Sequence, residues 1–239
     1  MTRATCDVRG RRATCDPSSR FALRWDRRAD ALVLSYVLRG AVVRVSEELE
    51  GQFGEIDIYL FDQLLRGRFD DRRRILDAGC GGGRNLPYFV SHGFDVCAID
   101  ADASAVAAVR RMAPAADVRH GQLTALPWDA DSMDAVIGSA VLHFAQDRQP
   151  FEAMVREMWR VLRPGGLFFA RLASSIGIES LLPSSTGRMR LPDGSDRFVV
   201  DEQLLLDLTR ELNGSLLDPI KSTNVQNQRV MTTWVLEKT

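Results

Sequence analysis

The chain has few cysteines, and those it has do not form a recognisable pattern. Its four cysteines are Cys6, Cys15, Cys80 and Cys97. No two of them form a C-x-x-C pair, and none has zinc-ligand spacing with a histidine. We therefore predict neither a disulfide framework nor a metal site, and we expect reduced thiols in a cytoplasmic protein.

Long apolar runs and an excess of one charge are also missing. Apolar stretches such as Ala31–Leu38 and Leu167–Ala170 are far shorter than the roughly 20 residues that a membrane-spanning helix needs. The arginines near the start precede no apolar segment with a small-residue cleavage site, so no secretory signal is predicted. Because the net charge is −1, the chain as a whole has no attraction for nucleic acid or an acidic membrane. Neither is expected as a partner.

What is present suits one globular domain with an extension. The 239 residues are 45% hydrophobic and 26% charged, which is typical of a globular protein with a sizeable core. Residues 1–50 differ, because they are rich in arginine and repeat the pentapeptide RATCD at Arg3–Asp7 and Arg12–Asp16. We predict a disordered or poorly ordered extension over 1–50, with a short helix over Ala29–Val45, and a folded domain over 51–239. An alternative is that the native chain starts within residues 42–49.

From residue 56 onward, helix and strand patterns alternate. Apolar residues recur at helical spacing, and short apolar runs between glycines and prolines are typical of buried strands. This alternation predicts an α/β fold with a mostly parallel sheet and helices on both faces. The predicted helices cover Ile56–Leu65, Asn85–His92, Ala103–Met112, Phe151–Leu162 and Leu204–Leu212, and the predicted strands cover Ile75–Ala78, Asp95–Asp100, Asp117–His120, Met133–Ala140 and Leu167–Ala173.

The C-terminal part departs from the alternation. Leu216–Val225 and Arg229–Leu236 are separated by only three residues, so these two strands must be antiparallel. Leu191–Val200 contains Pro-Asp-Gly and is predicted to form a small hairpin. It belongs to residues 174–200, which we expect to form a lid and part of the substrate wall.

A glycine-rich turn, Asp77–Gly83 (DAGCGGG), follows the first predicted strand. In open α/β sheets, ligands bind beyond the carboxyl ends of the strands, and glycines let the backbone approach them closely. Asp100 ends the second strand, where a carboxylate can accept hydrogen bonds from ribose hydroxyls. The dinucleotide fingerprint G-x-G-x-x-G would require glycine where this chain has Arg84. The leading Asp77 suits a ligand with an ammonium group better than a pyrophosphate.

Ile75–Asn85 (ILDAGCGGGRN) resembles the first motif of class I S-adenosylmethionine-dependent methyltransferases. Three further regions resemble later motifs of this family in the same order: Val96–Asp100, Gly121–Trp128 with Asp134–Ile137, and Val161–Gly166. The resemblance implies a Rossmann-like, doubly wound, mostly parallel seven-stranded sheet with an antiparallel C-terminal strand. It also implies S-adenosyl-L-methionine as cofactor and methyl transfer as the activity.

The resemblance further implies which residues contact the cofactor. The glycine turn would line its methionine and ribose moieties, and Asp100 and Ala101 its ribose and adenine. Gln122 stands where the family commonly has aspartate, so the adenine contact is the point at which the chain departs from the pattern. The residues that we predict to bind the cofactor are Tyr59, Asp77, Ala78, Gly79, Cys80, Gly81, Gly83, Asn85, Asp100, Ala101, Gln122, Leu123 and Ser139.

His143 is the candidate catalytic residue, since it follows the fourth strand where a general base would reach a substrate. The alternative is a structural role. Methyl transfer from a sulfonium needs no oxyanion hole and no metal, so alignment and exclusion of water can carry the reaction. We predict no metal ligands.

The methyl acceptor is expected to be a small molecule, because the chain lacks the N/D-P-P-Y/F tetrad of amino- or nucleobase-directed enzymes. One of Arg188, Arg190 and Arg197 is a candidate for contacting an anionic group of the acceptor. The alternatives are an RNA or protein methyltransferase, a non-catalytic homologue that binds S-adenosylmethionine, and a nicotinamide-dependent reductase. We expect a monomer or a homodimer.

Overall fold

The computed structural model describes residues 5–8, 11–14, 21–26, 31–38 and 41–239, with side chains described from residue 46 onward. The chain divides into two compact units, Met1–Phe53 and Gly54–Thr239. Both copies of the repeated pentapeptide fall partly outside the described residues.

The N-terminal unit contains antiparallel strands. Strands β1 (Thr5–Val8) and β2 (Arg11–Thr14) form one pair. Strands β3 (Phe21–Asp26), β4 (Ala31–Leu38) and β5 (Ala41–Arg44) form a three-stranded sheet, and helix α1 covers Val45–Phe53. The helix expected over Ala29–Val45 is wrong for the described part of that range, because its valines and tyrosine favour an extended backbone. The division into an extension over 1–50 and a domain over 51–239 stays a prediction.

The second unit is built on one twisted sheet whose strand order reverses in the middle. The order is β13 and β14 at one edge, then β15, β10, β9, β6, β7 and β8. All neighbours from β10 to β8 run parallel, and β15 is antiparallel both to β10 and to the edge strands. The strands are β6 (Arg74–Ala78), β7 (Asp95–Asp100), β8 (Asp117–His120), β9 (Met133–Ser139), β10 (Leu162–Ser174), β13 (Gly214–Leu216), β14 (Lys221–Val225) and β15 (Arg229–Lys238).

The edge position next to β15 is occupied by β13 and β14 in succession. β13 pairs with the end of β15 and β14 with its start, so the two short strands together fill one place in the sheet. Pro219, which has no N–H for a ladder hydrogen bond, lies in the break between them. The sheet therefore has the seven positions that were predicted, with a single antiparallel strand, and the predicted fold class is confirmed.

Helices cover both faces of the sheet, and alternate residues of the strands face opposite layers. Ile75 packs in one core and Leu76 in the other, and Phe169 and Phe168 divide in the same way. The first core takes α2 (Ile58–Leu65), α3 (Pro87–Ser91) and α4 (Ala103–Met112), and the second takes α5 (Arg148–Val161) and α6 (Glu202–Glu211). Strands buried on both faces explain the continuous apolar runs in the sequence.

Residues 174–200 contain a second, smaller hairpin. Strands β11 (Gly187–Arg190) and β12 (Asp196–Val199) pair around the predicted Pro-Asp-Gly turn, so the hairpin begins earlier than expected. Leu191 and Val199 pack with Ala173 and Met231 of the central sheet. Arg188 donates a hydrogen bond to the carbonyl oxygen of Ala145 at 3.0 Å, which ties the hairpin to the loop after β9. The lid role of this segment stays a prediction.

Candidate functional site

A cleft of about 1050 Å³ opens at the carboxyl ends of the parallel strands. It extends from β8 and β7 across β6 and β9 to β10 and the start of β15, and the hairpin turn closes one side. Strand β6 has β7 on one side and β9 on the other, so the cleft crosses the point at which the strand order reverses. This is where open α/β sheets bind their ligands.

The glycine turn after β6 needs glycine for two separate reasons. Gly79, Gly81 and Gly83 have φ of +76°, +52° and +85°, a region that side chains rarely adopt. A Cβ on Gly79 would lie 2.2 Å from Cγ2 of Val141, and one on Gly83 would lie 2.7 Å from Cε of Met112. A Cβ on Gly81 would meet no protein atom within 4 Å, because this residue faces the open cleft.

Asp100 is held in position beside this turn. Its Oδ2 accepts a hydrogen bond from the Gly81 N–H at 2.8 Å, and its Oδ1 accepts one from the Asp102 N–H at 2.9 Å. Each carboxylate oxygen has capacity for a further donor. Two backbone contacts therefore fix a carboxylate that faces the cleft and is ready to accept hydroxyl groups.

Asp77 is a buried carboxylate under the same turn. Its side chain is 1% exposed, and neither oxygen has a hydrogen bond of good geometry among the described residues, although Asn85 lies close enough to lower the Asp77 pKa. Burial raises the pKa of Asp77 to about 7, against the opposing positive charge of Arg84. A cationic hydrogen-bond donor placed here would satisfy both oxygens. The ammonium group of S-adenosylmethionine is such a donor, so the residues present fit this cofactor.

The structure brings most of the predicted cofactor residues together and leaves some outside the cleft wall. Tyr59, Asp77, Ala78 and Gly83 do not line the cleft. Asp77, Ala78 and Gly83 lie directly beneath or beside the turn, whereas Tyr59 points elsewhere. The predicted residues that line the cleft are Gly79, Cys80, Gly81, Asn85, Asp100, Ala101, Gln122, Leu123 and Ser139, and His143 lines it as well.

The Tyr59 side chain on α2 contacts the edge strand β14 and two cations. Its hydroxyl lies 2.5 Å from Oγ1 of Thr223 on the edge strand β14. Its ring is flanked by two cations, with Cζ of Arg171 at 4.9 Å and Nζ of Lys221 at 5.1 Å from the ring centroid. Through these contacts, Tyr59 connects α2 to the sheet.

Asp57 is a buried acidic residue that the sequence analysis did not identify. Its side chain is 1% exposed, and Oδ2 accepts from Nη1 of Arg171 at 2.9 Å and from Oγ of Ser139 at 3.2 Å. Nη2 of Arg84 lies 3.4 Å from the same oxygen and 3.0 Å from Oγ of Ser139. The only local signal was the position of Asp57 before the first apolar residue of α2, where it accepts from the Tyr59 N–H as an N-cap.

This network reaches the glycine turn through Asn85. The Asp57 N–H donates to Oδ1 of Asn85 at 3.0 Å, and Asn85 is buried. Asp57 therefore connects the start of α2 with the ends of β6, β9 and β10. Its two guanidinium partners, Arg84 and Arg171, both line the cleft.

His143 lies in a short 3-10 turn after β9 and is 5% exposed. Its Nδ1 is buried without a hydrogen-bond partner in the part of the chain that the structure describes. Burial, together with the positive charges of Arg197, Arg229 and Arg171, lowers the pKa of His143 to about 4. The imidazole is therefore neutral at pH 7, the state in which a histidine can accept a proton.

Cys80 lines the cleft but has no nucleophilic character. Burial, with the negative charges of Asp77 and Asp100, raises the pKa of the Cys80 thiol to about 12. Cys80 and Cys97 are both free thiols. No group of three or more histidine, cysteine or acidic side chains is placed to hold a metal ion within the described residues.

Comparison with known proteins agrees with this geometry. Residues 76–170 match the family model described as "Methyltransferase domain". A probable S-adenosylmethionine-dependent methyltransferase of Mycolicibacterium smegmatis is 38% identical over 104 residues, which cover 44% of this chain and 39% of the relative. The match spans about two fifths of the length of such curated relatives. The resemblance to S-adenosylmethionine-dependent methyltransferases that the motifs indicated is confirmed over this segment.

Solved structures confirm the fold over a larger part of the chain. A Methanosarcina mazei S-adenosylmethionine-dependent methyltransferase has a TM-score of 0.60 at 18% identity, covering 73% of this chain and 96% of its own. The Burkholderia thailandensis 1,6-didemethyltoxoflavin-N1-methyltransferase, solved with 1,6-didemethyltoxoflavin and S-adenosylhomocysteine, has a TM-score of 0.56 at 16% identity, covering 87% and 96%. At these identities the likeness establishes the fold alone. Among the described residues, no helix is long and apolar enough to cross a membrane.

Proposed function

We propose that the protein is an S-adenosylmethionine-dependent methyltransferase that acts on a small-molecule acceptor by direct displacement. The observation that carries the proposal is the Asp100 carboxylate, fixed by the N–H groups of Gly81 and Asp102 at the wall of the cleft. This arrangement can accept both ribose hydroxyls of the cofactor, next to a turn that leaves room for its methionine moiety. When bound, the cofactor supplies an activated methyl group on a sulfonium.

The residues of the cleft and of the layer beneath it divide the remaining tasks. Asp77, under the glycine turn, receives the ammonium group, and Gln122 and Leu123, in the cleft wall, contact the adenine. Ser139, at the end of β9, lies between the cofactor side and the acceptor side of the cleft. The protein acts mainly by aligning acceptor and sulfonium and by excluding water. His143, in the cleft wall, is the candidate base for an acceptor that must lose a proton, and its pKa of about 4 makes it a weak base in the ligand-free protein.

The size of the cleft favours a small acceptor. Its volume of about 1050 Å³ has to hold the cofactor as well, and small-molecule sites occupy roughly 300–1,000 Å³. The net charge of −1 gives no support to an RNA substrate. The 1,6-didemethyltoxoflavin acceptor of the Burkholderia relative is in the same size class. The proposal is compatible with a monomer or a homodimer, and with the expected cytoplasmic location.

Calorimetry tests the cofactor. The wild-type protein should bind S-adenosylmethionine and S-adenosylhomocysteine but not NADH. Asp100→Asn should bind S-adenosylhomocysteine about 10-fold or more weakly, because charge-assisted hydrogen bonds contribute about 1.5–3 kcal/mol. Asp95→Asn, at the other end of β7, is the matched control and should bind as the wild type does. Binding of NADH without S-adenosylhomocysteine would refute the proposal, as would an Asp100→Asn variant that binds normally.

The acceptor class needs a separate measurement. Methyl-labelled S-adenosylmethionine is incubated with the protein and with small-molecule, RNA and protein fractions of a bacterial extract. Label should enter the small-molecule fraction only. Label in RNA or in protein would establish the alternative acceptor, and cofactor binding without label in any fraction would favour the non-catalytic homologue.

A further inference from the structure

The acceptor side of the cleft carries two arginines whose nearest ion pair to a carboxylate, between Arg229 and Asp193, is 3.9 Å long. Arg197 on β12 and Arg229 at the start of β15 both line the cleft, opposite the glycine turn. They are adjacent because the Asp193 N–H donates to the carbonyl oxygen of Gln228 at 3.2 Å, which joins the hairpin turn to the turn before β15. Two non-neighbouring segments are thus fixed so that their guanidinium groups reach one space.

Neither guanidinium has a carboxylate within hydrogen-bond distance in the described structure, although Asp193 lies close enough for both arginines to lower its pKa. The hydrogen bond found for the Arg197 side chain goes to a backbone carbonyl, that of Asp196, at 2.8 Å, and its Cζ lies 4.8 Å from the centre of the Phe144 ring. Nη1 of Arg229 lies 3.9 Å from Oδ2 of Asp193, too far for a hydrogen bond. Arg84 and Arg171, the other arginines of the cleft wall, share the buried carboxylate of Asp57 at 3.4 and 2.9 Å.

Three apolar residues and His143 line this half of the cleft, together with Ser195 and Arg171. Ala173, Leu191 and Met231 line it, and the first and last of these are cross-strand partners on β10 and β15. His143 faces the same arginines, and its Nδ1 has no partner among the residues that the structure describes. The site thus combines apolar walls, an uncharged imidazole and two cations at its rim.

We propose that the methyl acceptor is an amphipathic small molecule that carries a carboxylate, which Arg197 and Arg229 bind while the apolar body lies against Ala173, Leu191 and Met231. Paired arginines with apolar surroundings match this chemistry, because a guanidinium holds a carboxylate with two parallel hydrogen bonds. The proposal rests on the function proposed above, since it gives the substrate class for the same cleft.

The test uses the full-length protein saturated with S-adenosylhomocysteine, with benzoate and malonate as carboxylate probes and benzamide and malonamide as their uncharged counterparts. Binding is measured by calorimetry. At least one of the two acids should bind, and its amide should bind about 10-fold or more weakly. Arg197→Gln and Arg229→Gln should each weaken binding of the acid by about 10-fold.

Arg190→Gln is the control on the same hairpin. Arg190 does not line the cleft, and its Nη1 lies 3.6 Å from Oδ2 of Asp196. Because Arg190 lies outside the cleft lining, the variant should bind the acid as the wild type does. Acids that bind no better than their amides would overturn the proposal. So would equal weakening by all three substitutions, which would indicate general charge attraction. Titration of the wild type and of each variant with S-adenosylhomocysteine separates the two proposals. If the wild type does not bind S-adenosylhomocysteine, the proposed methyltransferase function is wrong. If it binds S-adenosylhomocysteine but does not prefer the acids to their amides, only the proposed acceptor class is wrong.

Discussion

Arg171 Nη1 and Asp57 Oδ2 lie 2.9 Å apart across 114 residues of sequence, and this ion pair joins the start of α2 to the end of β10. Asp57 is almost fully buried, so its charge is stabilised by its partners and not by water. Removing the carboxylate leaves two guanidinium groups, those of Arg171 and Arg84, beside an empty acceptor position.

We therefore expect Asp57→Ala to lower the free energy of unfolding by about 3 kcal/mol, as breaking a buried pair does. Urea denaturation measures the change. Asp62→Asn is the control, because Asp62 on the exposed side of α2 pairs with Arg66 and both side chains are more than a third exposed. It should cost less than about 1 kcal/mol. Equal effects of the two substitutions would contradict the role assigned to Asp57.

Asp77 gives the cofactor affinity a defined pH dependence. The pKa of Asp77 is raised to about 7 by burial in the ligand-free protein. A bound ammonium group needs the ionised carboxylate, so the affinity for S-adenosylhomocysteine should rise from pH 6 and level off above pH 7 to 8, by up to about 10-fold per pH unit on the lower side. Calorimetric titrations at several pH values measure this rise.

Asp77→Asn should bind more weakly and without that slope. The same residue also affects the stability of the ligand-free protein. Because its ordinary pKa is 3.8, the folded state binds the extra proton, and the contribution to stability is lost as the pH rises from about 4 to about 7. A variant that keeps the wild-type pH profile would exclude Asp77 as the ammonium-binding group.

His143 has the opposite effect on stability. Its pKa is lowered to about 4 from 6.5, so the unfolded state binds the proton more readily. The contribution of His143 to the free energy of unfolding should fall as the pH decreases from 6.5 to 4, by roughly 3 kcal/mol. His143→Gln should remove most of this loss in denaturant titrations at pH 7 and pH 4.5. His92→Gln, at an exposed histidine, should retain it; a His143→Gln protein with the full pH-dependent loss would show that the histidine is not buried in its neutral form.

Local patterns explain why the cofactor side of the site could be predicted and the rest could not. The glycine turn and Asp100 are within 25 residues of each other in one strand–helix–strand unit, and their spacing encodes their geometry. Ser139 and Arg171 both reach Asp57, and Arg229 reaches the same cleft, only because the strand order places β9, β10 and β15 side by side. No periodicity in the sequence reports such long-range contacts. Of the three arginines considered for an anionic group, only Arg197 lines the cleft.

The environment of Tyr59 likewise depends on long-range contacts that the sequence does not reveal. Its position in a helix before the first parallel strand suggested an aromatic contact with the cofactor, but the register of β14 places Thr223 and Lys221 against it. Tyr59→Phe should therefore lower the free energy of unfolding by about 1 kcal/mol, the usual contribution of one hydrogen bond. It should leave the affinity for S-adenosylhomocysteine within about 2-fold of the wild type. A large loss of affinity with little change in stability would restore the cofactor contact that the sequence predicted.

The two glycines Gly79 and Gly81 have different roles in the turn: Gly79 packs against the protein, and Gly81 faces the ligand cleft. Both have positive φ, which costs a side chain roughly 1–2 kcal/mol. Gly79→Ala adds a collision with Val141, whose Cγ2 would be 2.2 Å from the new Cβ, and should lower the free energy of unfolding by more than about 3 kcal/mol. In Gly81→Ala the new Cβ points into the open cleft, so the substitution should lower the free energy of unfolding by only about 1–2 kcal/mol. It should weaken S-adenosylhomocysteine binding by about 10-fold or more, because the Cβ keeps the ligand from approaching the backbone closely. Denaturation and calorimetry on the two variants measure both effects, and a Gly81→Ala protein with normal affinity would mean that the cofactor does not pass over this turn.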